Sequence, residues 1–218
     1  MKVGTDGVLL GAWAKVENAK TILDVGTGTG LIALMLAQRS GALITGIDID
    51  KNAIAQATEN VKISPWPKRI SLVEGSFQNY SENCKQLFDL IISNPPYFQN
   101  SLLSPVENRT VARHTSSLTH QEFIDNAIHC LSSTGRICVI LPVNEGLQCA
   151  EYALQSGLYC AKKISVIPKP NAQPKRLLLE FSFQKTVTFE SELVIESEIR
   201  HQYSADFTAL VKDFYLKL

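Results

Sequence analysis

Thr21-Ile22-Leu23-Asp24-Val25-Gly26-Thr27-Gly28-Thr29-Gly30-Leu31-Ile32-Ala33 is the stretch on which the fold turns. Its first five residues form an apolar run around one acid and read as a buried strand. Gly26 ends that strand, and Leu31 to Gln38 then carries apolar residues on most sides, as a buried helix does. Glycines between a strand and a helix let the backbone approach a ligand closely, and the helix start offers free amides. The dinucleotide fingerprint G-x-G-x-x-G asks for a glycine at 31, where this chain has Leu31. Asp48 ends the next apolar run, where a carboxylate can accept both hydroxyls of a ribose. A tight turn beside a surface acid is the plainer alternative. The glycines and the acid in register favour a nucleotide site.

Outward from this stretch, short apolar runs alternate with helical patterns. Strands are expected at Leu43 to Asp48, Ile70 to Val73 and Phe88 to Ser93, with a helix over Lys51 to Val61 presenting Ala53, Ile54, Ala57 and Val61 on one face. A long polar stretch, Tyr97 to Thr119, is too long for an ordinary connection and points to function. Beyond it come a helix at Gln121 to Leu131, a strand at Arg136 to Leu141 and a helix at Glu145 to Gln155. Strands at Ala161 to Ile167 and Arg176 to Phe183 follow, and an amphipathic helix over Tyr203 to Leu216 ends the chain. Continuous apolar strands alternating with helices argue a parallel sheet covered on both faces. Residues 168–175 are too few for a helical crossover, so the strands they join are expected to pair antiparallel. The expectation is one doubly wound α/β domain, with seven strands and an antiparallel hairpin at its end.

The chain has 218 residues, 45% apolar and 19% charged, which excludes a disordered or fibrous protein and fits a single domain. Its 21 basic and 21 acidic side chains balance, so it is no general polycation, although a local basic patch stays open. No apolar run is long enough to span a membrane, and the first residues lack a signal-peptide core. The five cysteines form no C-x-x-C pair and read as reduced thiols in a cytoplasmic protein. No His or Cys spacing supports a metal site.

Asn94-Pro95-Pro96-Tyr97 stands at the carboxyl end of the fourth expected strand, beside the crevice where open α/β sheets bind ligands. Paired prolines fix the backbone and remove two amides, leaving the Pro95 carbonyl and the Asn94 side-chain oxygen as rigid acceptors. Tyr97 adds a flat face. Two acceptors and a stacking ring suit a planar group bearing an NH2, such as an adenine N6 or a glutamine amide. A strand stop with a surface tyrosine is the plainer alternative.

Asp24 to Gly30 with Asp48 resembles the first motif and the second-strand acid of class I methyltransferases that use S-adenosylmethionine (SAM). The resemblance implies that Asp24, Gly26, Thr27, Gly28 and Gly30 line the cofactor, that Asp48 holds its ribose, and that the product is S-adenosylhomocysteine, with no metal. Members usually end the third strand with Gly-Asp at the adenine. Here Gly75-Ser76-Phe77 stands there, so the resemblance implies only a weak contact from Ser76 and a Phe77 packed on the ring. Asn94 to Tyr97 resembles the catalytic corner of amino-methyltransferases acting on adenine N6, glutamine N5 or guanine N2. No nucleophile is needed in such a reaction, because orientation supplies most of the acceleration.

Met1 to Trp13, Ser64-Pro65-Trp66, Phe88 to Tyr97, Ala112-Arg113-His114 and the terminal helix resemble the bacterial tRNA-Val (adenine-N6)-methyltransferases over nearly the whole chain. That family carries a further strand ahead of Met1-Lys2-Val3-Gly4. The resemblance implies tRNA as partner, methylated on the adenosine 3′ of the anticodon; no obligate protein partner is evident in the sequence. It assigns residues 1–20 to a lid, 94–119 to a substrate loop and 168–175 to a basic hairpin loop. Thr5-Asp6 is expected to cap the first helix, or to meet the amino end of SAM. Arg109, Arg113 and His114 are expected near the target base. Lys162, Lys163, Lys169, Lys175 and Arg176, with no acid between Lys162 and Leu179, are expected to face phosphates. Two other readings stay open: a glutamine N5-methyltransferase acting on a release factor, and a silent RNA-binding subunit that keeps the fold.

Overall fold

A computed structural model describes residues 4–95, 118–199 and 202–215. Its elements are α1 (Thr5–Trp13), β1 (Thr21–Val25), α2 (Leu31–Arg39), β2 (Leu43–Asp48), α3 (Lys51–Ile63), β3 (Ile70–Glu74), α4 (Phe77–Glu82) and β4 (Phe88–Ser93). Then follow α5 (His120–Cys130), β5 (Leu131–Pro142), α6 (Val143–Gln155), β6 (Tyr159–Ile167), β7 (Arg176–Ser182), β8 (Phe189–Val194) and α7 (Ala205–Val211). The strands form one sheet in the order β3-β2-β1-β4-β5-β7-β6-β8.

Alternate residues of each central strand enter different cores, as the two-residue strand period requires. On one face Ile22, Ile44, Leu90, Ile92 and Ile140 meet Leu9 and Leu10 of α1, Leu36 of α2 and Phe207 of α7. On the other, Leu23, Ile91, Ile137 and Leu179 meet Phe123 and Ile124 of α5 and Ala153 of α6. Local chemistry agrees with this packing. Asp50 caps α3 by accepting from the amides of Asn52 and Ala53, and Thr119 with Glu122 forms a capping box on α5. Arg69 donates to the carbonyls of Ala37, Ser40 and Ala42 at the end of α2, so this cation serves the scaffold.

The α/β expectation holds, with β1 to β5 parallel and β7 antiparallel to both β5 and β6. The strand count does not: the sheet has eight strands. β8 lies parallel to β6 at the sheet edge, Lys162 opposite Phe189. Its apolar pattern is broken by Glu190 and Glu192, and four of its six residues are exposed. Ladder bonds and a Lys163–Glu190 ion pair at 2.9 Å hold it, and neither depends on an apolar run. Two helices also differ: α4 was not expected, and α7 covers only Ala205–Val211 of the expected terminal helix.

Register carries the functional segments to one place. Val25 pairs with Ile47 and with Ser93, and Ser93 with Val139. The glycine loop, Asp48 and Asn94 therefore leave the sheet together, at the carboxyl edge where α/β sheets bind ligands. No described helix is long and apolar enough to cross a membrane.

Candidate active site

Gly26, Gly28 and Gly30 all have left-handed backbones, with φ of 71°, 57° and 82°, a conformation costly for residues with a Cβ. The loop they form is hooked onto β2: the amides of Gly26 and Thr27 donate to the Ile47 carbonyl at 2.9 and 3.0 Å. Asp48 Oδ2 accepts from the Gly28 amide at 2.8 Å and its Oδ1 from the Asp50 amide at 2.9 Å. Each oxygen keeps a second lone pair, so the carboxylate is oriented by the backbone and still able to accept two hydroxyls. Asn60 donates to the Thr29 carbonyl at 2.9 Å and ties the loop to α3. Among the described residues a Cβ on Gly26 would meet nothing within 4 Å, so none of them fills the space beside the loop there.

Beneath the loop, Asp24 is fully buried. Its Oδ2 accepts from Thr27 Oγ1 at 2.6 Å and from the Ala33 amide at 3.1 Å, bracing both loop and helix start. Gly46 makes room for this: a Cβ there would stand 2.8 Å from Thr27 Oγ1 and 2.9 Å from Leu72. Asp24 Oδ1 is buried without a hydrogen-bond partner among the described residues. Burial, the largest influence, pushes the carboxyl up to about 7; the Thr27 and Ala33 bonds oppose this, and the nearby Asp48 charge adds to it. Because the folded chain binds this proton more tightly than the unfolded chain, Asp24 favours folding below about pH 4, loses that contribution as pH rises to about 7, and gives none above. Asp24→Asn is therefore expected to gain stability relative to the parent between pH 4 and pH 7, by on the order of 4 kcal/mol at most. Urea unfolding of both chains across that range reads the effect, and a pH-independent difference between them would refute the titration.

Ser93, only 1% exposed, donates from Oγ to the Val25 carbonyl at 2.8 Å and clamps the ends of β1 and β4 together. Asn94 follows directly, half-buried, and no hydrogen bond among the described residues ties its amide. The first turn of α1 lies against it: a Cβ on Gly7 would approach Leu31 Cδ2 at 3.3 Å and Asn94 Nδ2 at 3.7 Å. Pro95 is described; Pro96, Tyr97, Arg109, Arg113 and His114 lie outside the described residues.

Several expected site residues have other duties. Ser76 caps α4, accepting from the Asn79 amide at 3.2 Å, and Phe77 is buried with its ring 5.9 Å from that of Phe123. Thr5 and Asp6 do not cap α1; Gly4 occupies that position with no side-chain bond. Asp6 instead accepts from Arg176 Nε at 2.9 Å. The basic segment is likewise reduced, because Lys162 pairs with Glu180 at 2.7 Å and Lys163 with Glu190. Lys169 and Lys175 stay exposed, and among the described residues neither forms an ion pair. Sequence reasoning missed Gly7, Gly46, Asn60 and Ser93. A glycine inside an apolar strand, as Gly46 is, was the one readable signal, since it marks a close approach.

The sequence model of the methyltransferase small domain family matches residues 4–158. Proteins named tRNA1(Val) (adenine(37)-N6)-methyltransferase are similar along the whole chain. The one from Trichodesmium erythraeum is 46% identical over 100% of this chain and 92% of its own length. The one from Parabacteroides distasonis is 47% identical over the same shares. Among solved structures, a predicted O-methyltransferase from Agrobacterium tumefaciens superposes with a TM-score of 0.75 at 18% identity, covering 95% of this chain and 96% of that one. A glycopeptide N-methyltransferase complexed with SAM gives 0.60 at 11% identity, covering 84% and 100%. At such identities the structures attest the fold.

Proposed function

This chain belongs to the methyltransferase small domain family, and from that premise we propose that it methylates N6 of an adenosine in tRNA with SAM as donor, the target being the adenosine 3′ of the anticodon in tRNA-Val. The observation that carries the reading is the meeting, at one sheet edge, of the glycine loop, the oriented Asp48 carboxylate and the Asn94 amide, which makes no hydrogen bond among the described residues. Its support from relatives is their shared name and near-complete overlap with this chain.

The residues present fit SAM. No described atom would lie within 4 Å of a Cβ on Gly26, Asp48 has acceptor capacity for a ribose, and Asp24 Oδ1 is buried beneath the loop without a hydrogen-bond partner among the described residues. In this reading Gly26, Thr27, Gly28 and Gly30 form the floor of the cofactor site, with Asp24 bracing it from below. Bound SAM supplies a methyl group activated by its sulfonium. Asn94 Oδ1 and the Pro95 carbonyl accept the two hydrogens of the exocyclic amine, which fixes the direction of the nitrogen lone pair. With Pro96 and Tyr97 they make up the corner, and Tyr97 supplies a stacking face for the base. Arg109, Arg113, His114, Lys169 and Lys175 attract the RNA backbone, while Arg176 is held by Asp6. An unpaired loop base enters such a site at the cost of stacking, with no base pair to break.

The test is methyl transfer from labelled SAM to unmodified tRNA-Val, with a release-factor protein as competing substrate and nucleoside mass spectrometry of the product. N6-methyladenosine next to the anticodon is the expected product. Label in the protein alone would replace this reading with glutamine methylation, and absence of SAM binding would leave a silent subunit.

A further inference from the structure

A second concavity opens on the same sheet edge, on the side of β6 and β7. It has a volume of about 460 Å³ and is lined by Asp6, Lys175, Arg176, Glu196, Tyr203 and Tyr215 among others. β6 runs parallel to β5, through the β7 strand between them, so Pro168 and Lys175 at this cleft lie on the edge that also carries Asn94. The link to the reacting corner is short. Asp6 lines the cleft, and the next residue, Gly7, lies against Asn94.

The wall is aromatic and firmly backed. The Tyr203 ring lies 4.8 Å from Phe207 and 6.5 Å from Tyr215, centroid to centroid, and a backbone bridge pairs Tyr203 with Glu196. Tyr203 nevertheless stays 42% exposed. The polar lining mixes signs: Asp6 is paired with Arg176 at 2.9 Å, and Glu196 and Lys175 add one charge of each kind. A site made for phosphate alone concentrates cations. An aromatic platform ringed by both donors and acceptors suits a neutral flat ring with donors and acceptors on its edge, as a nucleobase is.

We propose that this cleft seats a second unstacked base of the RNA, one that flanks the methylated adenosine. The inference rests on the proposed tRNA reading and adds to it a subsite for a neighbouring nucleotide. Drawing one base out of a loop breaks its stacking on its neighbours, and a second platform beside the first offsets that loss. Tyr203 supplies the stacking face, and Lys175 lies where the adjoining backbone passes.

The experiment uses an unmodified anticodon stem-loop of tRNA-Val and variants in which each loop nucleotide beside the target is made abasic in turn. One abasic position is expected to weaken binding to the parent protein about tenfold. Tyr203→Leu is expected to cause a similar loss with the intact RNA, and no further loss with that abasic RNA, because both changes remove one contact. Tyr203→Phe keeps the ring and is expected to restore binding. Lys175→Ala, an exposed side chain outside the aromatic packing, is expected to weaken the intact RNA by about threefold and to lower the salt dependence. SAM affinity and the unfolding midpoint report whether the Tyr203 variants keep their fold. Unchanged binding in folded Tyr203→Leu and Lys175→Ala, or fully additive losses from protein and RNA changes, would overturn the cleft. A parent protein that methylates no tRNA would instead overturn the reading beneath it.

Discussion

Replacing Asn94 by alanine is expected to slow methyl transfer to tRNA by about 10²-fold or more, while SAM and tRNA still bind. The side chain lies beside Gly7 in the first turn of α1 and makes no hydrogen bond among the described residues, so no described polar contact is lost with it. Its removal leaves the Pro95 carbonyl as a lone acceptor, and an amine held by one hydrogen swings its lone pair off line. Asn94→Asp keeps an acceptor oxygen at the same place and is expected to recover much of the rate. Single-turnover transfer with both substrates saturating isolates this step from binding. A rate within threefold of the parent would remove Asn94 from the reaction. Equal rates for the alanine and aspartate variants would assign the corner's effect to its prolines.

Asp48→Ala is expected to weaken SAM binding by about 10²-fold or more, since each charge-assisted bond to a ribose hydroxyl contributes about 1.5–3 kcal/mol. The substitution also strips the Gly28 and Asp50 amides of their acceptor, so the glycine loop loses one of its hooks on β2. Asp48→Asn is a sharper probe. Both carboxylate oxygens face backbone N–H donors, so an amide must turn its own NH2 toward one of them and cannot serve as a neutral substitute. It is expected to lose nearly as much as alanine, in contrast to the tolerance of exchange at Asn94. Calorimetric titration with SAM and with S-adenosylhomocysteine measures both variants, and thermal unfolding checks the loop. A dissociation constant equal to that of the parent would place the ribose elsewhere.

Apart from α4, the order of strands and helices through β5, the parallel sheet and the glycine turn were legible in the sequence because each is written in residues adjacent along the chain. Apolar runs of strand length, helical periodicity and the glycines at 26, 28 and 30 are local signals, and backbone sterics act locally. The position of Asp48 at the end of its strand was legible for the same reason. The bond its carboxylate accepts from the Gly28 amide comes instead from the register of β1 against β2.

Partners across the sheet were another matter. The stretch from Lys162 to Leu179 holds no acid, yet Glu180, Glu190 and Asp6 neutralise three of its five cations, each brought in by a neighbouring strand or helix. Phe77 sits next to a helix cap in sequence, but α5 stands against α4 and draws its ring into the core. β8 lacked an apolar run because an edge strand needs only ladder bonds and a partner charge. Tyr203, read as the start of a helix, instead bridges to Glu196 and walls a cleft with residues from α1 and β7. Local pattern determined which elements this chain forms. Register and packing, which join residues far apart in sequence, determined which charges remain available and where an aromatic face is left open.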